Sequence, residues 1–191
     1  MMGKPTLRRM LRAARRDYCA AMAEADRRRA FSVMPSVMMP LFAARPTVAG
    51  YVSVGDECDP AALLGHAHEM GCEIALPWFE GRAAPMQFRR WVPGEPLAPA
   101  PFGGGQPSGD AALAKPSLLL LPLIGFDRLG NRLGQGGGHY DRALERHPAS
   151  VTIGLGWSVQ GLERVPAETW DVPLTHILTE REWITPMKAA P

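Results

Sequence analysis

Arg132-Leu133-Gly134-Gln135-Gly136-Gly137-Gly138-His139-Tyr140-Asp141 is the stretch on which the reading of this chain turns. It follows an apolar run, residues 118–124, that reads as a buried strand. It leads into Asp141-Arg142-Ala143-Leu144-Glu145-Arg146, which reads as a helix. A glycine-rich turn between strand and helix leaves backbone N–H groups uncovered, and the helix dipole adds partial positive charge at the same place. Such a turn suits a phosphate or another anion. Arg132 sets a fixed cation at its mouth, and Asp141 offers a hard oxygen donor to a metal ion. Three consecutive glycines cost backbone entropy on folding, so a ligand-free turn is a poor use of them. No Lys-Ser or Lys-Thr follows, which excludes a Walker A loop, and His139 displaces the third glycine of a dinucleotide fingerprint.

Working outward, residues 6–30 read as a basic amphipathic helix. Leu7, Leu11, Ala14, Tyr18 and Met22 recur at helical spacing and face the core, and the arginines take the solvated face. Residues 32–44 suggest a second helix weakened by Pro35 and Pro40. Residues 48–54 read as a strand, and 60–70 as a helix opened by Pro60 and closed by Gly71. Residues 73–77 form a short strand, with 86–91 antiparallel to a neighbour because no room remains for a crossover. The 118–124 strand is apolar on both faces, as central parallel strands are. Residues 151–157 and 176–179 complete the set. Strands alternating with helices predict a three-layer α/β/α fold with a largely parallel, mixed sheet in a single domain over 1–191. Residues 93–116, rich in proline and glycine, read either as a surface linker or as a lid over the site. Trp157 and Phe126 read as core, with stacking on a ligand ring as the lesser alternative.

Composition narrows the class. The chain has 191 residues, 46% hydrophobic and 21% charged, with a formal net charge of +2. That balance exerts no global pull toward nucleic acid, although basic residues crowd the first thirty positions. Cys19, Cys58 and Cys72 make an odd set with no C-x-x-C pair, which suggests neither a disulfide framework nor a zinc knuckle. With no apolar segment after the basic N-terminus and no run of membrane-spanning length, a cytoplasmic protein without membrane contact is expected, and a monomer.

Pro122-Leu123-Ile124-Gly125-Phe126-Asp127, followed by Gly130-x-Arg132-Leu133-Gly134-x-Gly136-Gly137-Gly138-x-Tyr140-Asp141-Arg142, closely resembles the signature of the 5-formyltetrahydrofolate cyclo-ligase (methenyltetrahydrofolate synthetase) family. The likeness covers nearly the whole chain. Lys4-x-x-Leu7-Arg8 is similar to the family's N-terminal basic motif, and Tyr51-x-Ser53 with Glu57-x-Asp59 to its strand and folate-side glutamate. Gln160, Val165-Pro166, Asp171-x-Pro173-Leu174 and Thr179-Glu180 are similar to its C-terminal pattern. Two positions depart from it. His139 stands where an aromatic residue is common, and Phe102-Gly103-Gly104-Gly105-Gln106-Pro107 carries glutamine in place of the acid of F-G-x-x-E-P.

The resemblance implies ATP- and magnesium-dependent closure of 5-formyltetrahydrofolate to 5,10-methenyltetrahydrofolate, with ADP and phosphate released. It implies Lys4, Arg8, Arg132, Gly134, Gln135, Gly136, Gly137, Gly138, His139 and Tyr140 as the ATP site, with Lys4, Arg132 and Tyr140 catalytic. Lys4 and Arg8 lie four apart, hence on one helical face. It implies Val52, Glu57 and Tyr140 as folate contacts, and Asp141 with Asp171 as the Mg2+ ligands. Each residue has a plainer reading. Asp141 also suits the first turn of a helix, Asp171 the turn before Pro173, Glu57 a solvated loop, and Tyr140 helix–sheet packing. The implied partners are small molecules, ATP and a reduced folate. The rival classes are a non-catalytic folate- or RNA-binding relative that uses the basic helix, and another small phosphoryl-transfer enzyme. Aromatic residues are sparse among the arginines, which counts against nucleic acid.

Overall fold

The computed structural model describes residues 2–146, 151–168 and 171–187. The chain opens with α1 (Lys4–Ala21) and α2 (Glu24–Arg29), then a 3-10 turn (Ser36–Met38) and α3 (Met39–Ala43). Next come β1 (Thr47–Ala49), α4 (Ala61–Glu69), β2 (Glu73–Trp78) and β3 (Gln87–Arg90). Two small hairpins flank the central strand: β4 (Ala98–Pro99) with β5 (Gly105–Gln106), and, after β6 (Leu118–Pro122), β7 (Gly125–Phe126) with β8 (Arg132–Leu133). Then follow α5 (His139–Arg146), β9 (Val151–Leu155), β10 (His176–Leu178) and β11 (Trp183–Ile184).

The main sheet runs β11-β10-β9-β6-β1-β2-β3. The inner pairs β10–β9, β9–β6, β6–β1 and β1–β2 are parallel, and the edge pairs β10–β11 and β2–β3 are antiparallel. The mixed, mostly parallel sheet matches the expectation, and β11 is an edge strand that sequence reading missed. β6 shows why both faces must be apolar. Leu118 and Leu120 join the core that includes Phe42, Leu63 and Leu64, whereas Leu119 and Leu121 join the one that includes Ala143 and Leu144. All four leucines are buried, and each contributes about 1.5–3 kcal/mol over leaving it in water. Helices therefore cover the sheet on both sides.

Several expected boundaries move. The helix expected over 6–30 is two helices, because Met22 and Ala23 adopt extended backbone between them. Its inner face carries Leu7, Leu11, Arg15 and Cys19, so one arginine lies on the buried side, contrary to expectation. The helix expected over 32–44 reduces to a 3-10 turn and one short helix. Pro35 is extended, and Pro40 can sit only in a first turn. The strand expected over 48–54 ends at Ala49, and the chain then bends so that the Tyr51 hydroxyl donates to the Cys58 carbonyl at 2.6 Å. The glycine turn does not follow the central strand directly, since the β7–β8 hairpin intervenes.

That hairpin positions the first helix. Leu7 and Leu11 pack with Ile124, Leu133 and Val165 in a third small core. Gly125 makes room for this contact: a Cβ there would lie 2.6 Å from Leu11 Cδ1. The turn of the hairpin is tied by Asp127, buried, which accepts from the Leu129, Asn131 and Val165 amides and from Asn131 Nδ2. Gln160 locks the neighbouring segment by donating to Leu123 and Ile124 carbonyls and accepting from the Trp157 amide. Trp157 and Phe126 are core residues, as expected.

Candidate active site

In chain order the sheet runs outward from β1 to β2 and then returns to β6 on the other side of β1. Such a reversal opens a crevice at the carboxyl ends of the strands, where α/β proteins bind ligands. A cavity of about 720 Å³ lies there, floored by Leu121 and Pro122 from the end of β6 and walled by Tyr51 and Val52 beyond β1, by Pro77 of β2 and by Phe79 just after it. A volume of this order suits a ligand pocket.

The glycine turn forms one rim. Gly134, Gln135, Gly136, Gly137 and Gly138 all face the cavity, and Gly136 (φ 107°) requires a backbone that L residues avoid. Among the described residues, no backbone amide of 134–138 donates a hydrogen bond to another protein group. Three cations hold the turn's carbonyls instead: Arg8 Nε donates to Gly134 O at 2.8 Å, Arg12 to Gln135 O at 3.4 Å and Arg142 to Gly137 O at 3.0 Å. With carbonyls turned to the arginines and amides left free, the turn remains a donor surface at the start of α5.

Charged residues converge from distant elements. Lys4 Nζ lies 3.1 Å from Asp171 and 3.6 Å from Glu168. Arg132 pairs with Asp141 and donates to Val172 O at 2.6 Å. Burial raises the Asp171 carboxyl, but the Glu168 amide and Lys4 outweigh it and hold the group below the usual carboxylate range. On the opposite rim Glu57 accepts from Gln135 Nε2 at 2.7 Å and from the Val54 amide at 3.1 Å. Gln135 in turn accepts from Arg12, so a polar chain crosses the mouth from α1 to the 51–57 bend. Burial, followed by the Glu57 charge, pushes the Tyr140 phenol well above its ordinary value. Tyr140 therefore stays protonated, a hydrogen-bond donor rather than a base.

Every site residue expected from the sequence, Val52, Tyr140 and the two aspartates included, lines this one cavity. Sequence reading missed the aromatic wall. Phe79, Phe102 and His139 form a mutual cluster with ring centroids 4.9–5.0 Å apart. Burial and nearby Arg142 lower the His139 pKa, so its ring is neutral and packs as an aromatic. Phe102 belongs to the proline-rich segment, which supplies Ala100, Phe102, Gly103 and Gly105 to the cavity and is a wall rather than a free linker. Neither Phe79 nor Phe102 sits in a periodic pattern; Phe102 was marked only as the first residue of the segment similar to F-G-x-x-E-P, and Phe79 by nothing local.

Asp141 and Asp171 supply the oxygen donors a hard divalent cation prefers. No group of three or more His, Cys, Asp or Glu able to hold a metal occurs among the described residues, and both aspartates are paired to cations. Two carboxylates are enough for a metal that keeps its waters and takes phosphate oxygens, so the donor set fits magnesium brought in with a nucleotide.

A model of the 5-formyltetrahydrofolate cyclo-ligase family matches residues 1–180. The chain belongs to this family. The 5-formyltetrahydrofolate cyclo-ligase of Mycolicibacterium smegmatis is 34% identical over 151 residues, 74% of this chain and 77% of the relative. That of Haemophilus influenzae is 33% identical over 138 residues, 69% and 74% of the two chains. The solved structure of Aquifex aeolicus 5,10-methenyltetrahydrofolate synthetase superposes with a TM-score of 0.81 at 27% identity, covering 100% of this chain and 96% of that one. In cyclo-ligase terms, the position where this chain carries Gln106 takes on a definite task. Its amide accepts from the Phe79 N–H and donates to the Phe79 carbonyl, tying the proline-rich wall to the end of β2. Gln106 thus acts on the fold of the cavity, and neither metal ligation nor base chemistry is asked of it.

Proposed function

We propose that the 134–138 turn, with Lys4, Arg8 and Arg132, holds the phosphates of ATP while a reduced folate lies against Val52, Glu57 and Tyr140. The chain is an enzyme of the cyclo-ligase family, and ATP is its co-substrate. The single observation that carries the reading is convergence. Unbonded amides, cations from the first helix and from the β7–β8 hairpin, and an acid on the facing rim all border one cavity.

The chemistry needs such a site. A formamide oxygen is a poor leaving group because resonance stabilises the amide. Attack of that oxygen on the γ-phosphorus expels ADP and leaves a phosphorylated imidate. N10 then adds to the activated carbon, loses its proton, and phosphate departs with the former formyl oxygen. Holding both substrates in one crevice removes much of the entropic barrier. Preset donors from the turn, Arg132 and Lys4 stabilise the charge of the transferring phosphoryl group. Asp141 and Asp171 would hold Mg2+, which when bound supplies charge shielding between phosphate oxygens. Tyr140, held protonated, donates to an oxygen near the formyl group. Glu57 accepts hydrogen bonds from the folate ring. Among the described residues no helix is long and apolar enough to cross a membrane, and we take the working form to be a cytosolic monomer.

Purified protein given ATP, Mg2+ and 5-formyltetrahydrofolate should develop the near-ultraviolet absorbance of the methenyl product with stoichiometric ADP. Folded protein that yields neither product overturns the reading.

A further inference from the structure

Arg15 is the odd residue of the first helix. It sits on the buried face of α1 with 9% relative exposure, and it lines the cavity. Its Nε and Nη1 are buried without any hydrogen-bond partner, and none of the ion pairs among the described residues includes it. A buried guanidinium left unpaired costs folding free energy, and a chain that tolerates it is one in which something else meets the charge.

Among the described residues no acid supplies that partner. Glu180 accepts from Tyr18, from the Ser158 amide and hydroxyl, and pairs with Arg181. Asp56 pairs with Arg27, and Glu57 is engaged by Gln135 and Val54. Cys19 and Cys58 lie within the field of Arg15, but burial raises both thiols and keeps them neutral.

Position selects the ligand half. Arg15 is seven residues beyond Arg8, about 10 Å along the helix axis, whereas Arg8 already touches the glycine turn. Its neighbourhood is Cys58, next to Glu57 and bonded through its carbonyl to Tyr51, which is the wall opposite the phosphate turn. The edge of a reduced pterin offers ring and amino N–H donors beside one carbonyl oxygen. A carboxylate suits the donors and a guanidinium suits the carbonyl. Resting on the function proposed above, we infer that Arg15 is a folate-binding residue whose guanidinium donates to the carbonyl oxygen of the pterin ring, opposite the acceptor Glu57. It fills the gap with substrate, so the bound folate and the fold stabilise one another.

The test uses the full chain with Arg15→Met, close in length and uncharged, and Arg15→Lys, which keeps the charge without the planar fork. Affinities for 5-formyltetrahydrofolate and, separately, for ATP with Mg2+ are measured by calorimetry, alongside the unfolding temperature without ligand. Arg15→Met should weaken folate binding by about 10- to 100-fold, leave ATP affinity within about twofold, and unfold at the same or a higher temperature. The folate penalty should persist with 5-formyltetrahydropterin, which has the ring and no glutamate tail. Arg15→Lys should fall between, and stands in should the methionine variant fail to fold. Wild-type folate affinity in both variants overturns the inference alone, as does a loss confined to ATP or to the tailed substrate. A fall in stability with both affinities reduced assigns Arg15 to structure and also overturns it. Wild-type protein that binds ATP and no folate overturns the proposed function and this inference together.

Discussion

The side-chain amide of Gln106 pairs with both backbone groups of Phe79, accepting from its N–H at 3.0 Å and donating to its carbonyl at 3.2 Å. A carboxylate can copy only the first of these bonds. Gln106→Glu should therefore lower stability by about 1–3 kcal/mol at pH 8, since a buried carbonyl loses its donor and an ionised group faces it. Burial raises the new acid's folded pKa above its unfolded value near 4.3. The penalty then belongs to the ionised form, and it should shrink as pH falls through the folded pKa and the carboxyl regains a donor. Urea unfolding at pH 8 and pH 5 checks this; equal deficits at both would remove the bond from the account.

The Arg132–Asp141 pair yields the second expectation. Asp141→Asn should reduce turnover by at least about 100-fold, the scale of losing one preset electrostatic element at a transferring group. Arg132 keeps its bond to the Val172 carbonyl, and the aspartate side chain is 42% exposed. Stability should still fall by about 1–3 kcal/mol, because the Arg132 side chain is only 6% exposed and loses its charged partner. Unchanged steady-state kinetics would deny Asp141 a part in phosphate or metal handling.

Glycines of the turn separate backbone need from ligand need. Gly136 has φ 107°, so Gly136→Ala should cost about 1–2 kcal/mol and weaken ATP binding together. A Cβ at Gly134 would have nothing within 4 Å. Gly134→Ala should leave ligand-free stability within about 0.5 kcal/mol. Thermal unfolding of the two variants should differ accordingly, and similar midpoints would contradict the strained backbone at Gly136.

His139 gives a pH signature. Burial between Phe79 and Phe102, then Arg142, lowers its folded pKa below the unfolded value near 6.5. A lowered folded pKa means the unfolded chain binds the proton more readily. The stabilisation is therefore full above about pH 6.5 and is lost as pH falls through the lower folded value. His139→Phe should flatten that acid-side loss while keeping the aromatic cluster. A wild-type stability profile between pH 7 and pH 5 that matches the variant's would exclude this residue as the source.

Much of the architecture was legible locally. The run Leu118–Leu121 is apolar at every position, which only a strand covered on both faces can use, and the alternating cores bear this out. The edge strand Trp183–Ile184 and the hairpin from Gly125 to Leu133 were not legible, because two-residue strands carry no period to read. The long first helix was misjudged at Met22 and Ala23, where no proline or glycine marks the break. The proline-rich segment was ambiguous for the same reason: its docking depends on Gln106 meeting Phe79, a contact between residues 27 apart.

By itself the sequence determined the parallel strand core and the side-chain-free turn at residues 134–138, since hydrophobic period and glycine content act over short range. It also determined which acids and bases were available. Only the tertiary structure decided that Lys4 meets Asp171 across 167 residues, that His139 joins an aromatic wall, and that Arg15 lines the cavity with no partner among the described residues. Those facts depend on how helix, hairpin and loop pack over the strand ends, and packing of distant segments leaves no periodic trace in the chain.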